Sequence, residues 1–309
     1  VIHASLTLKQ LETLVCVARL RSFRRAAEEL GTTQPNVSVR IATLEDTLKT
    51  QLFLRDSGHV RLTEKGERIC AAAARVLDAT EELAEIAARP DLVTGRLRLG
   101  VSELIACTWL HAFLREMSRR FPALAVELTV DLSRALEQDL SRGALDLVLQ
   151  NRPFASDDPQ SIPLGDCPYV WVAAPGQVLG QGPGVLAGCT ILTQPRKTKA
   201  FDELQRFLSD AGLDGARVAP SSSVASCAQM ARDGLGVALV PHALVLDDLA
   251  QGRLVAFDVG WLPAPLSFAA RFHADAAPRH VRQAAELAAE VAHDHAGHDE
   301  VDKEMLSLS

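Results

Sequence analysis

Residues 23–45 read Phe23-Arg24-Arg25-Ala26-Ala27-Glu28-Glu29-Leu30-Gly31-Thr32-Thr33-Gln34-Pro35-Asn36-Val37-Ser38-Val39-Arg40-Ile41-Ala42-Thr43-Leu44-Glu45. Phe23, Ala26, Ala27 and Leu30 recur at i, i+3, i+4 and i+7, the spacing of one helical face, and Gly31 supplies a left-handed residue that stops the helix. A second helix starts at once. Thr33 is placed to cap it, Pro35 fits its first turn, and Val37, Ile41 and Leu44 form a buried stripe. Gln34, Asn36, Ser38 and Arg40 are then left exposed on its N-terminal half, and their donors and acceptors suit base edges in a major groove. Two short helices joined by a tight turn form a DNA-reading unit.

Working outward, Leu8, Leu11, Leu14, Val15 and Ala18 predict an amphipathic helix that packs across the pair. Downstream, Gln51 to Arg55 and Val60 to Thr63 are short apolar runs flanking Asp56-Ser57-Gly58-His59, the pattern of a winged hairpin. Arg55, His59 and Arg61 on that wing would lie beside phosphate or a minor groove, where positive charge adds affinity without reading sequence. The DNA-binding domain is thus expected over residues 1–66. From about Thr63 a long linker helix follows, its body at 67–88, with Ile69, Ala73, Val76, Thr80, Leu83 and Ala87 at the 3.5-residue period of a coiled-coil seam. Such a seam asks for a second helix and predicts a homodimer. Arg89-Pro90-Asp91-Leu92-Val93-Thr94-Gly95 breaks the helix and reads as a hinge.

At 309 residues the chain is long enough for two or three domains, and 48% hydrophobic content makes it globular. The net charge of −7 hides an asymmetry: residues 1–66 carry +3, so the remainder carries −10. A mildly basic head on an acidic body suits local DNA contact. No window approaches the length of a membrane helix, and the first residues lack a charged region followed by an apolar one, so a cytoplasmic location without membrane partners is expected. Six cysteines, Cys16, Cys70, Cys107, Cys167, Cys189 and Cys227, lack any C-x-x-C pair, which predicts buried, reduced thiols and neither a zinc site nor a disulfide framework, and no metal or cofactor is expected.

Beyond the hinge, strand and helix patterns alternate. Strands at 96–101, 124–130 and 146–150 with helices at 106–120 and 135–142 predict a parallel α/β sheet. A second cluster has strands at 169–173, near 190–192 and at 237–240, with helices at 201–211 and 226–233. The strand at 266–271 and a helix from Pro278 to about His293 return to the first cluster. The expected effector domain is therefore 96–293, with lobe I at 96–160 and 266–293 and lobe II at 161–265. The polar stretch 294–309 is expected to be a disordered tail. Small ligands in such sheets bind at strand carboxyl ends, against helix N-termini.

These features together resemble the LysR-type transcriptional regulators. Ser22-Phe23 with Arg25-Ala26-Ala27, Thr33-Gln34-Pro35 with Val37-Ser38, Ile41, Leu44-Glu45, Leu52-Phe53 with Arg55, and Leu62-Thr63 with Gly66 are similar to the family's winged helix-turn-helix signature. Gly95 to Gly100, Gly143 with Leu145-Asp146-Leu147, and Gly234 to Pro241 are similar to its effector domain, a two-lobed fold of the periplasmic-binding-protein type. Val39 and Gly58 stand where members commonly carry basic residues. Base readout is therefore expected to rest on Gln34, Asn36, Ser38 and Arg40, flanked by Thr33 and Pro35, with Arg24 and Arg55 holding phosphates.

The resemblance implies a small-molecule effector between the lobes and no catalysis. The matching positions are Ser102, Glu103, Asp131, Leu132, Ser133, Gln150, Asn151, Thr198, Lys199, Ala200, Phe201 and Ser221 to Ser223. Hydroxyls gathered at helix N-termini, with Arg196, Lys197 and Lys199 nearby, form an anion-binding arrangement by themselves. Glu103 at the cleft mouth opposes it, leaving open a neutral or amine-bearing effector or a Glu103 side chain that points to solvent. Cys107 and Cys227 beside cleft loops raise the alternative of a redox-sensing regulator. An enzyme on the two-lobed fold is disfavoured because no G-x-S-x-G, Walker or H-E-x-x-H motif occurs. A solute-binding protein would have no use for the winged helix. The expected partners are double-stranded DNA carrying an inverted repeat, with half-sites ~34–36 Å or a multiple apart, a second copy of the chain in a dimer or tetramer, and RNA polymerase if the protein activates.

Overall fold

The computed structural model describes residues 6–56, 59–87, 95–154, 159–178, 180–273 and 277–306. The predicted hinge, apart from Gly95, lies outside them. Helix α1 (Leu8–Leu20) opens on a reciprocal capping box, the Thr7 hydroxyl accepting from Gln10 N and the Gln10 side chain accepting from Thr7 N. Ser22 caps α2 (Phe23–Glu29), Thr33 caps α3 (Gln34–Leu48), and Gly31 turns the chain between them at φ +58°. Leu14, Val17, Ala26, Val37, Ile41 and Leu44 form the core of this head, as their helical spacing dictates. Strands β1 (Phe53–Asp56) and β2 (His59–Leu62) pair antiparallel as the wing. Helix α4 (Glu64–Ile86) leaves it. A Cβ on Gly66 would meet the Leu52 carbonyl oxygen at 2.2 Å, so only glycine lets the helix start this close to the wing. Along the seam Ala73 is buried in the head, whereas Val76 and Leu83 are 46% and 66% exposed.

The rest of the chain builds two five-stranded sheets. The first has the order β4 (Leu124–Val130), β3 (Gly95–Val101), β5 (Leu147–Asn151), β12 (Leu266–Phe272), β6 (Gln160–Cys167); β3 runs parallel to β4 and β5, and β12 is antiparallel to both its neighbours. Helices α5 (Glu103–Cys107), α6 (Leu110–Arg120) and α7 (Ser133–Ser141) belong to this lobe. The second sheet has the order β11 (Val255–Phe257), β7 (Tyr169–Ala173), β10 (Val237–Pro241), β8 (Thr190–Thr193), β9 (Arg217–Pro220), with α8 (Lys199–Asp210), α9 (Val224–Arg232) and α10 (Leu246–Ala250) around it. The chain crosses between sheets at Pro168 and again over 258–265. Gly236 closes the second core, because a Cβ there would stand 2.3 Å from the Thr190 carbonyl oxygen.

Three expectations need correction. Lobe I does not end at 160: β6 pairs with β12 along its length, so 161–167 belong to the first sheet. Pro163 and Gly165 inside that run hide an edge strand from pattern reading. The first sheet is mixed, not wholly parallel, since β12 enters antiparallel. Finally, α11 (Arg279–Leu306) continues through the stretch expected to be a disordered tail. No proline follows Pro278, and the one glycine beyond His293, Gly297, lies inside the helix without ending it.

The head is tied to lobe I through Asp146. Its carboxylate accepts Arg98 N at 2.9 Å and the Arg98 guanidinium at 2.6 and 3.0 Å, and it also pairs with Arg19 of α1. Glu29 of α2 completes the cluster by pairing with Arg19 and, at 3.5 Å, with Arg98. Arg25 donates to the carbonyl oxygens of Arg142 and Gly143 at 3.4 and 3.2 Å. Gly143, at φ +64°, lies so near the Arg19 carbonyl that a Cβ would stand 3.0 Å from it. Linker helix α4 is tied to the same lobe at its other end, where Glu81 accepts His280 N at 3.0 Å and Glu82 pairs with Arg279 at 3.3 Å.

Burial raises the Asp146 carboxyl pKa, but the Arg98 hydrogen bonds and the charges of Arg19 and Arg98 more than offset this, holding it below the usual value. A carboxyl lowered on folding contributes stability above its unfolded pKa, and that contribution is lost as pH falls through the folded one. Asp146→Asn should therefore cost roughly 2 to 3 kcal/mol at neutral pH. In thermal melts against pH, the gap between wild type and variant should close below about pH 4, the unfolded carboxyl range; a gap independent of pH would contradict the assignment.

Candidate functional site

Helix α3 presents Gln34, Pro35, Asn36, Ser38 and Val39 to solvent. The Thr33 hydroxyl accepts Asn36 N at 3.4 Å, and Asn36 Nδ2 donates to Thr32 Oγ1 at 3.3 Å, so the cap also steadies a base-reading amide. Arg40 departs from expectation. It is half-buried, and its guanidinium reaches Thr13 Oγ1 on α1 at 3.5 Å, because it sits beside Ile41 on the edge of the buried stripe. Val39, 63% exposed, stands on the reading face beside Asn36 and Ser38. An isopropyl group there can meet a thymine methyl.

Arg24 lies exposed on α2 and pairs with Glu28 at 3.1 Å, one turn on. Arg61 is exposed on β2. Arg55 and His59 stand in register with Val60 and Asp56 on the wing; their side chains lie outside what is described.

In the effector domain the carboxyl ends of three strands carry buried polar atoms without a hydrogen-bond partner: Ser102 Oγ after β3, Gln150 Oε1 on β5 and Thr193 Oγ1 on β8. Ser102 stands at the N-cap of α5, yet its hydroxyl does not cap the helix. Gln150 Nε2 donates to Glu137, whose carboxylate accepts only, and this fixes Oε1 as the free end. Glu137 in turn holds Arg271 at 2.5 Å, and the Arg271 guanidinium lies 4.1 Å over the Phe154 ring and donates to Ser161 Oγ at 3.1 Å. Thr193, Glu137 and Arg271 escaped the sequence reading. Arg271 within the apolar run Phe268 to Phe272 was the available signal, since a charge in a core strand persists only when paired.

The other expected effector residues are largely occupied by the fold. Thr198 Oγ1 accepts Phe201 N at 3.3 Å and donates to the Pro195 carbonyl oxygen at 2.8 Å, which uses its only proton. Phe201 is buried, with the Arg196 guanidinium 5.4 Å over its ring. Lys199 is exposed beside Glu203 at 3.7 Å, and Ser222 is exposed. Ser133 donates to Asn151 Oδ1 at 2.8 Å. Glu103 crosses between the lobes: it accepts the Ser223 hydroxyl at 2.7 Å and Val224 N at 2.9 Å, placing a protein carboxylate on the N-terminus of α9. Its negative charge is therefore spent on lobe II.

Both cysteines considered for redox sensing have thiol pKa values pushed upward. Burial, reinforced by the Glu103 charge, raises Cys107, and burial raises Cys227, whose Sγ lies 3.5 Å from the Thr193 carbonyl oxygen. In the head Cys16 is pushed up to about 12 and Cys70 to about 11, chiefly by burial. Among the described residues no group of His, Cys, Asp and Glu is placed to hold a metal ion, and no helix is long and apolar enough to cross a membrane.

Residues 8–67 match the family model described as a bacterial regulatory helix-turn-helix protein of the lysR family, and residues 90–293 match the LysR substrate binding domain. The chain belongs to the LysR family. It is a DNA-binding transcriptional regulator with an effector-binding domain, and the family's members are not enzymes. This LysR regulator is 33% identical over 81% of its length, and 82% of the relative's, to a probable hydrogen peroxide-inducible genes activator of Streptomyces viridosporus. It is 31% identical over 84% of its length, and 83% of the relative's, to the HTH-type transcriptional regulator CfxR of Cupriavidus necator. Among solved structures, ArgP from Mycobacterium tuberculosis shares the fold at TM-score 0.58 and 22% identity, covering 92% of this chain and 96% of that one.

Arg24, exposed and outside the reading face, should contact backbone phosphate. Arg24→Ala should weaken binding to specific and random duplexes by the same factor and make the dependence of log affinity on log salt shallower by about one phosphate's worth. Fluorescence anisotropy across a salt series measures both, and lost discrimination at an unchanged slope would contradict the assignment.

Proposed function

We propose that this regulator binds, as a homodimer, an inverted repeat, and that a small molecule seated between the lobes adjusts the spacing of its two heads. The exposed Val76 and Leu83 on α4 support pairing through that helix, since an apolar seam at coiled-coil period gains from a second copy. Tetramer formation and contact with RNA polymerase are extensions of the same reading, as is action in the cytoplasm.

The observation that carries the effector site is the trio of unpartnered buried atoms, Ser102 Oγ, Thr193 Oγ1 and Gln150 Oε1. A buried polar atom without a partner costs about 1–3 kcal/mol, and a ligand that satisfies all three recovers it. The two hydroxyls can donate or accept, whereas Gln150 Oε1 accepts only. The effector therefore carries an N–H or O–H donor as well as an acceptor, as an amino or hydroxy acid does. Glu103 has less bearing on its charge than sequence alone implies, because that carboxylate is committed to α9. The peroxide-response name of one relative finds no support in the thiols, since none of the four shifted cysteines is tuned toward thiolate.

A thermal-shift screen of amino and hydroxy acids against the full chain tests the site. A hit should raise the melting temperature of wild type, and Ser102→Ala should weaken it about tenfold, the equivalent of one hydrogen bond of roughly 1.4 kcal/mol. A hit bound equally well by Ser102→Ala would place the ligand elsewhere.

A further inference from the structure

A cavity of about 820 Å³ lies where the head meets lobe I, within the range of small-molecule sites. Arg19, Arg21 and Arg25 line it from the head, and Arg142 and His273 line it from the effector domain. Asp146 is the one carboxylate among the described residues of its wall, and Arg19 and Arg98 already neutralise it. Arg25 is committed to the carbonyl oxygens of Arg142 and Gly143. Among the described residues neither the Arg21 nor the Arg142 guanidinium has a carboxylate within pairing distance, and both side chains belong to exposed residues. Arg21 is held in place by its backbone, in the left-handed conformation at φ 49° that ends α1.

Two arginines from different domains, neither paired with a carboxylate among the described residues, thus line one cavity whose acidic wall residue is already paired. We infer that this junction is a second ligand site, separate from the cleft between the lobes, which takes a small anion of two or more negative charges. Guanidinium groups favour planar, bidentate partners, so phosphoryl and carboxylate oxygens are the matching chemistry. An occupant bridging Arg21 to Arg142 would add a head-to-lobe contact beside the Asp146 cluster. Binding at this site therefore favours the docked arrangement of the head and reaches the DNA-reading helix without passing through the cleft. The inference does not depend on the cleft assignment.

The test is isothermal titration of the full chain with inorganic pyrophosphate and, separately, with citrate, at constant ionic strength. Saturable binding of either anion is expected, and the one that binds more tightly assigns the phosphoryl or carboxylate class. Arg21→Gln/Arg142→Gln should weaken it at least tenfold, and each single substitution should weaken it in part. Both side chains are exposed, so the melting temperature without anion should be unchanged and certifies the fold. Ser102→Ala and Arg61→Gln should leave binding intact, which separates the junction from the cleft and from the wing. Absence of saturable binding of both anions to wild type would overturn the proposal, as would undiminished binding in the double variant or loss confined to Ser102→Ala or Arg61→Gln.

Discussion

The Asp146 carboxylate is the constraint on which the arrangement of this chain depends. It joins three pieces that sequence keeps far apart: the backbone and side chain of Arg98 on β3, its own turn before β5, and Arg19 on α1 of the head. A buried carboxylate is tolerable only when its lone pairs are filled, and here they are filled by both domains. Separating the head from lobe I would strip Arg19 from Asp146 and Glu29 from Arg98, leaving Asp146 with Arg98 as its one charged partner in the cluster. The junction is thus strongly favoured in one geometry, the property a transmitter between effector domain and DNA requires.

A second carboxylate performs the matching task between the lobes. Glu103 leaves lobe I and caps α9 in lobe II, so lobe position is coupled to a helix terminus instead of resting on loop contacts. A third, Glu137, holds Arg271 and the Gln150 amide beneath the strand ends. The three carboxylates serve the junction, the contact between the lobes and the layer beneath the strand ends, and all have protein partners. The unpartnered atoms at the strand ends are neutral: two hydroxyls and an amide oxygen. That division is why a ligand is sought at Ser102, Gln150 and Thr193, where binding satisfies atoms without breaking an ion pair.

The head was legible in the sequence because its signals are local. Caps at Ser22 and Thr33, the glycine turn at Gly31 and the stripe Val37, Ile41, Leu44 each act within a few residues. Long-range pairings were not. Nothing in Gln160 to Cys167 announces an edge strand when Pro163 and Gly165 interrupt its alternation, and β12 joins it only after a hundred residues. Cleft hydroxyls were found by type but not by availability: Ser102, Thr198 and Ser223 look alike in sequence, yet two of them cap helices and one does not. Arg40 was misjudged for a similar reason, since its reach to Thr13 depends on how α1 crosses α3. The Asp146 cluster requires four residues from two domains and has no local signature.

These charges hold the head on lobe I, which couples a change in the lobe to a change at the DNA-reading helix. The most direct measurement is the distance between spin labels carried by unnatural residues at Thr47 on α3 and Glu116 on α6, with labelled chains diluted into unlabelled ones. Wild type should give one narrow distribution that broadens when Arg19 and Glu29 are both replaced by Gln. A wild-type distribution already as broad as that of the double variant would contradict it.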